Sequence, residues 1–293
     1  MRFTLFLMTE KGFLVLKKLV EQELSESIDL VIVGIDKSVR NDFSSDIISL
    51  CQNSNLPFRL SSEKGLEFKS SYGLAVSWRW LIDIKNLKLI VLHDSILPKY
   101  RGFSPLVNSL LNQEKYIGVS AIFASEKFDR GPIILQKKIE ISYPIKIQDA
   151  IKKIVLLYQE IVVSIFRMVV QQEEINSFPQ DETLASYSLW RNEEDYRIDW
   201  NNDASYIKRF VDAVGYPYNG ACCFINDNKI IVNEVEVIND FVIENRTIGK
   251  VLFIEEGRPF VVCKTGIIRI DNACFEQTKE SIIPFKFIRT RFK

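Results

Sequence analysis

The chain of 293 residues contains a single histidine, His93, which follows an apolar run typical of a buried strand. Asp94-Ser95 comes directly after it, and Arg101-Gly102 lies just ahead of a proline that opens a predicted helix. A strand end of this kind brings together a titratable imidazole, a guanidinium and the free N–H groups of a helix start. These residue types can accept a proton and bind an anionic group. A catalytic His93 would also need a partner elsewhere in the chain.

One such partner is a carboxylate in a later turn, Phe128-Asp129-Arg130-Gly131-Pro132. A carboxylate that faces a histidine orients the imidazole ring for proton transfer. Taken alone, a histidine at a strand end is more often structural than catalytic, and an aspartate in such a turn usually shapes the turn. The residues by themselves therefore predict a candidate His–Asp site on an α/β domain and nothing more specific.

The segments that position these residues alternate between strand-like and helix-like patterns over residues 1–145. The predicted strands are Phe3–Met8, Asp29–Ile35, Leu74–Trp78 and Leu87–Leu92, and the predicted helices are Gly12–Val20 and the segment after Asn41-Asp42. This alternation predicts a largely parallel sheet covered on both faces, in which ligands bind beyond the carboxyl ends of the strands. Both His93 and the segment Trp78-Arg79-Trp80 lie at such strand ends.

The remainder of the chain has a different pattern. A long helix is predicted over Ile147–Gln171, and a polar stretch without periodicity follows it. After a short predicted helix at Ala204–Val214, strand patterns alternate with turn signals. We therefore predict an α/β domain at residues 1–175, a connector at residues 176–203, and a smaller β-rich domain at residues 204–293.

Composition limits the classes of function. The 38 Lys and Arg residues balance 38 Asp and Glu residues, which argues against a strongly basic DNA-binding protein. Charged residues interrupt the most apolar stretch, so no membrane span is expected. The five cysteines form no C-x-x-C pair, and with one histidine they argue against a metal site. Buried free thiols in a reducing cytoplasm are the expectation.

Three short motifs carry a family resemblance: H-D-S-I-L-P at residues 93–98, R-G at 101–102 and F-D-R-G at 128–131. Further matches lie at residues 190–200 and 210–221, in the linker and the β-rich part. The chain resembles the folate-dependent formyltransferases, which include methionyl-tRNA, glycinamide ribonucleotide and nucleotide-sugar N-formyltransferases. The resemblance implies an α/β, Rossmann-like N-terminal domain with a mostly parallel sheet, followed by a smaller OB-like, β-rich C-terminal domain.

The resemblance also implies a formyl donor, 10-formyltetrahydrofolate, and a primary amine as acceptor, with no metal. The family's catalytic histidine and aspartate correspond to His93 and Asp129. Its catalytic asparagine lies two residues before the histidine, where this sequence has Val91, so Ser95 and Asn108 are the nearest polar candidates for the missing donor. Contacts with the folate are expected from one group of residues, namely Trp78, Arg79, Trp80, Arg101, Gly102 and Asp129.

For the acceptor, zero net charge and the absence of a basic cluster in the β-rich part disfavour tRNA. The run L-H-D-S-I-L-P-K-Y-R-G is similar to formyltransferases of pseudaminic-acid-type pathways, which implies a nucleotide-linked amino sugar such as a UDP-4-amino-4,6-dideoxy hexosamine. A methionyl-tRNA formyltransferase is the main alternative. A folate-binding protein without turnover and a protein-interaction module are two others, and a homodimer is an open alternative to a monomer.

Overall fold

The computed structural model describes residues 2–36, 39, 41–82 and 87–293. The chain divides into two compact units. The first comprises Met1–Ser109, Glu114–Ile141 and Ala150–Trp190, and the second comprises Leu110–Gln113, Ser142–Asp149 and Arg191–Lys293. The domain limits predicted at residues 175 and 203 stay a prediction.

A seven-stranded sheet organises the first unit. The strands of this part of the chain are β1 (Phe3–Leu7), β2 (Ile28–Val33), β3 (Phe58–Leu60), β4 (Tyr72–Val76), β5 (Lys88–His93), β6 (Arg101–Gly102), β7 (Tyr116–Phe123) and β8 (Ile133–Glu140). The sheet has the order β3-β2-β1-β4-β5-β7-β8, and β6 lies outside it. Strands β1 to β5 run parallel, whereas β7 and β8 pair antiparallel. The predicted Rossmann-like, mostly parallel sheet is confirmed.

Consecutive residues of these strands are apolar, so both faces of the sheet are apolar and helices cover them. The helices are α1 (Thr9–Glu21), α2 (Ser44–Asn53), α3 (Pro105–Leu111) and α4 (Ile147–Val170). On one face of β1, Phe3 stacks on Phe166 of α4 with ring centroids 4.0 Å apart. On the opposite face, Phe6 meets the edge of Trp78 at 5.3 Å. The carboxyl ends of β1, β4 and β5 therefore lie side by side above a packed core.

The second unit is built on a five-stranded antiparallel sheet. Before it come β9 (Tyr187–Ser188), which pairs with β6, and helix α5 (Ala204–Ala213). The sheet strands are β10 (Ala221–Ile225), β11 (Asn228–Ile238), β12 (Val251–Glu255), β13 (Arg258–Val262) and β14 (Ile267–Phe275), in the order β10-β11-β14-β13-β12. The predicted β-rich C-terminal part is confirmed.

The five cysteines are free thiols, four of them buried and Cys274 half-buried. Burial raises the pKa of Cys51 and of Cys263 to about 12, so these groups stay protonated and unreactive near neutral pH. Within the described residues, no helix is long and apolar enough to cross a membrane. The same part of the chain contains no group of three or more His, Cys, Asp or Glu residues that could hold a metal ion.

Candidate active site

The imidazole of His93 lies at the carboxyl end of β5 and is only 7% exposed. Its Nε2 atom lies 2.8 Å from the carbonyl oxygen of Tyr100. A carbonyl oxygen can only accept a hydrogen bond, so this contact assigns the ring proton to Nε2. In the neutral ring the remaining nitrogen, Nδ1, is then the basic one.

The carboxylate of Asp129 faces that basic nitrogen. Its Oδ1 atom lies 3.6 Å from Nδ1 of His93, and its Oδ2 atom accepts a hydrogen bond of 2.7 Å from the backbone N–H of Gly102. A proton taken up by Nδ1 would therefore lie between the ring and the carboxylate, which stabilises an imidazolium. The structure thus brings together His93, Asp129 and Gly102, three of the residues singled out in the sequence.

The two polar candidates for the missing asparagine donor already have local partners. The hydroxyl of Ser95 donates to the carbonyl oxygen of Lys99 at 2.7 Å, and the side-chain amide of Asn108 donates to the carbonyl oxygen of Ser104 at 2.9 Å. Val91 packs against the apolar cluster of Leu97, Ile122 and Ile133. The catalytic roles of Ser95 and Asn108 stay predictions. In the structure, both side chains donate to backbone carbonyl oxygens four residues away.

Arg101 is held by side chains of this protein. Its side chain is 1% exposed, and its guanidinium donates to Oε1 of Gln180 and to both carboxylate oxygens of Glu182. Because a buried charge must be paired, the carboxylate of Glu182 balances the charge of the guanidinium and Gln180 accepts two of its hydrogen bonds. Contact between Arg101 and folate stays a prediction, and as placed its donors serve these two partners.

The segment after β4 forms an aromatic wall at the same edge of the sheet. The rings of Trp78 and Trp80 meet edge to face at 5.1 Å, and Trp80 is 48% exposed. The guanidinium of Arg79 pairs with the buried carboxylate of Asp36 at 2.8 Å. Contact between these residues and folate stays a prediction, and the half-exposed indole of Trp80 is available for stacking on a flat ring.

Three buried polar atoms lie at the ends of the neighbouring strands β1 and β4. Among the described residues, the hydroxyls of Thr9 and Ser77 and Nε1 of Trp78 are buried and have no hydrogen-bond partner. Buried polar groups in folded proteins are almost always hydrogen-bonded. These three atoms therefore lack the partners that buried polar groups normally have.

An ionic cluster surrounds Asp94, the residue that follows His93 in the chain. The sequence patterns did not indicate this cluster. Asp94 accepts hydrogen bonds from the ammonium of Lys11 in α1 and from the hydroxyl of Tyr158 in α4. Burial alone would raise the pKa of Asp94, but the charge and hydrogen bond of Lys11, together with the hydrogen bond from Tyr158, lower that pKa below its usual range. This cluster anchors the residue that follows His93.

Two known protein-domain families match this chain. The model described as "Formyl transferase" matches residues 70–163, and the model described as "Formyl transferase, C-terminal domain" matches residues 191–284. Together they match more than half of the chain, including His93 and Asp129. The chain belongs to the formyltransferase family. The membership predicted from the sequence motifs is therefore confirmed.

Individual relatives of this formyltransferase-family chain differ in the acceptor that their names state. The methionyl-tRNA formyltransferase of Ruminiclostridium cellulolyticum is 27% identical over 210 residues, which cover 72% of this chain and 66% of that protein. Among solved structures, WlaRD, a sugar 3N-formyl transferase, has a TM-score of 0.67 at 18% identity over 92% of this chain and 97% of its own.

The N-formyltransferase from Helicobacter canadensis, solved with folinic acid and dTDP-3-aminofucose, has the same TM-score of 0.67 at 17% identity. It covers 92% of this chain and 98% of its own. At this level of identity the two solved structures show a shared fold. The match to the R. cellulolyticum relative spans about two thirds of that protein's length.

Proposed function

We propose that this protein is an N-formyltransferase that moves the formyl group of 10-formyltetrahydrofolate to the primary amine of a nucleotide-linked amino sugar. The observation that carries the proposal is the pairing of His93 and Asp129 at the end of β5, with Nδ1 of the imidazole facing the carboxylate at 3.6 Å. A cytoplasmic location belongs to the same proposal, and the buried free thiols support it.

In this reaction His93 is the general base. The amine nitrogen attacks the formyl carbon, and Nδ1 of His93 takes the proton that the nitrogen loses. The carboxylate of Asp129 stabilises the imidazolium that results, while the Tyr100 carbonyl fixes the ring orientation. The bond between the formyl carbon and N10 of the folate then breaks, and the imidazolium returns its proton to N10. The products are a formamide and tetrahydrofolate.

The folate would bind at the neighbouring strand ends. The folate supplies an activated formyl group, and the chain supplies the hydrogen-bond partners and the wall that orient it. Ser77 and Trp78 offer a buried hydroxyl and a buried indole N–H without described partners, and Trp80 offers an exposed ring face. The arrangement supports a flat, polar-edged ligand lying beside His93.

The choice of a nucleotide-linked amino sugar rests on charge. Residues 191–293 contain 15 Lys and Arg residues against 16 Asp and Glu residues, so this part carries a net charge of −1. A protein that binds the phosphate backbone of tRNA needs a positive face. Two solved structures that match 92% of this chain support the same choice, namely the sugar 3N-formyl transferase WlaRD and the Helicobacter canadensis N-formyltransferase with dTDP-3-aminofucose. We propose a UDP-4-amino-4,6-dideoxy hexosamine as the first acceptor to test.

Methionyl-tRNA formyltransferase is the second candidate. The observation that favours it is the sequence comparison, in which proteins of that name match up to 74% of this chain at 25–31% identity. The absence of an excess of positive charge over residues 191–293 argues against it. A folate-binding protein without turnover is the third candidate, and Val91 in place of the family's asparagine is the feature that favours it.

A transfer assay read by mass spectrometry separates these candidates. Purified protein is mixed with 10-formyltetrahydrofolate and a panel of nucleotide-linked amino sugars, and initiator methionyl-tRNA is tested as a separate acceptor. His93→Ala is assayed beside the wild type, and folate binding is measured for both. We expect one amino sugar to gain a formyl group in the wild type only. Transfer to tRNA alone would support the second candidate, and folate binding without any transfer would support the third.

A further inference from the structure

The polar segment that follows α4, within the first unit, contributes a side chain that hydrogen-bonds to the turn of Asp129. The amide nitrogen of Gln180 donates to the carbonyl oxygens of Asp129 and of Gly131, both at 2.8 Å. Its amide oxygen accepts from the Nε and Nη2 atoms of Arg101, at 3.1 Å and 2.8 Å. Both donors and the acceptor of one amide are therefore used, which fixes the side chain in a single orientation.

The guanidinium that orients this amide is itself rigidly held. Arg101 is 1% exposed, and its Nη1 and Nη2 atoms donate to the two carboxylate oxygens of Glu182 at 2.9 Å and 2.8 Å. A forked contact of this kind fixes geometry as well as charge. Glu182, Arg101 and Gln180 thus form a chain of contacts that ends on the backbone of Asp129.

The turn that receives these contacts needs support. Asp129 has a φ of 54°, in the left-handed region that non-glycine residues rarely adopt. Two residues on, a Cβ atom at Gly131 would lie 1.6 Å from the carbonyl oxygen of Phe123, so the turn is pressed against the neighbouring backbone. Conformations of this kind persist only where the surroundings hold them in place.

We propose that Gln180 is a positioning residue for the reaction, which holds the carboxylate of Asp129 toward Nδ1 of His93, and that Arg101 and Glu182 orient its amide. The proposal rests on the proposed function in so far as it concerns turnover. Without the two donated hydrogen bonds, the backbone N–H of Gly102 still holds Oδ2 of Asp129, but the turn loses two of the contacts that fix the distance of 3.6 Å between carboxylate and imidazole. A displacement of about 1 Å of a catalytic group can lower a rate about 10²-fold.

Two substitutions separate positioning from simple structural support. Gln180→Leu removes the donors and the acceptor, whereas Gln180→Glu keeps the acceptor for Arg101 and removes the donors to the Asp129 turn. The matched control is Gln159→Leu, because Gln159 is a half-buried glutamine that also donates to a backbone carbonyl, that of Leu14 at 3.0 Å. We expect both Gln180 variants to lower kcat between about 10- and 100-fold with little change in KM, and Gln159→Leu to keep kcat.

A second readout does not depend on the acceptor. His93 is the only histidine, so protein labelled with ¹⁵N-histidine and purified without a histidine tag gives the signals of one imidazole. We expect Gln180→Leu and Gln180→Glu to shift the Nδ1 resonance and Gln159→Leu to leave it unchanged, with all variants folded by circular dichroism. An unchanged Nδ1 resonance in both Gln180 variants would overturn the proposal. So would a wild-type kcat in Gln180→Glu, because the Arg101 contact alone would then account for the role of Gln180. Failure of the proposed function would instead appear as absence of transfer in the wild type, with the resonance shifts still present.

Discussion

Replacing Asp129 with asparagine removes the charge that faces His93 and keeps the shape of the side chain. Asparagine tolerates the left-handed backbone found at this position, where φ is 54°. Its amide oxygen can still accept the hydrogen bond from the backbone of Gly102, so we expect the free energy of unfolding to change by less than about 1 kcal/mol. The substitution therefore tests electrostatics with little structural disturbance.

The expected loss of activity follows from the distance between the two groups. For an imidazolium 3.6 Å from a carboxylate, an effective dielectric constant of about 20 gives an attraction of roughly 4 to 5 kcal/mol. Since about 1.4 kcal/mol corresponds to a factor of ten in rate, removing this attraction lowers kcat about 10³-fold. An amide N–H donated to Nδ1 would also occupy the basic nitrogen, which acts in the same direction.

The assay is the steady-state rate of formyl transfer, measured together with thermal unfolding. The control is Asp227→Asn, which removes a carboxylate from the exposed turn between β10 and β11. We expect the control to match the wild type in kcat. A kcat of Asp129→Asn within about threefold of the wild type would show that Asp129 does not stabilise an imidazolium at His93, because an attraction of roughly 4 to 5 kcal/mol requires a far larger effect.

Two further substitutions test the surroundings of the pair. Lys11→Met leaves the buried carboxylate of Asp94 unpaired, so we expect a loss of about 3 to 5 kcal/mol in unfolding free energy at pH 7 by urea denaturation. Because the pKa of Asp94 is lowered in the folded protein, its stabilisation is present above the unfolded pKa of about 3.9 and is lost as pH falls through the folded value, so the wild type and variant should converge in strong acid. A constant difference at all pH values would contradict this assignment. Trp78→Phe deletes an indole N–H that has no partner among the described residues and removes part of a ring that packs on Phe6 and Trp80, so we expect a lower melting temperature and folate binding weakened about 2- to 10-fold in a fluorescence titration at a temperature where the variant is folded. An unchanged folate affinity would show that the N–H does not serve the ligand.

Much of the fold could be predicted because its signals are local. The runs that become β1, β2, β4 and β5 are apolar and bounded by helix-like segments, as buried parallel strands are. In the second unit, turn residues such as Asn226, with a φ of 53°, separate strands of alternating pattern. Strands β3, β6, β7 and β8 were not among the predicted strands. For β8 the reason is its place at the edge of the sheet, where the exposed Lys137 and Lys138 interrupt the apolar pattern.

The candidate site was predictable only in part, for a physical reason. His93 and Asp129 belong to short motifs, and those motifs are visible in the sequence. The environment of Arg101 depends on Gln180 and Glu182, which lie 79 and 81 residues away and have no local signal. A buried, neutralised guanidinium and an exposed, ligand-binding one look alike until such distant partners are known. The contacts of Gln180 with the Asp129 turn were missed for the same reason.

In the proposed reaction, His93 takes the proton from an amine that receives the formyl group of a folate. The most direct test is a single-turnover reaction with 10-[¹³C]formyltetrahydrofolate and the amino-sugar nucleotide identified in the acceptor panel, followed by NMR of the labelled carbon. We expect the label to move into a formamide on the sugar in the wild type and to stay on the folate in His93→Ala. Equal formamide formation in both proteins, or label released only as formate in the wild type, would contradict it.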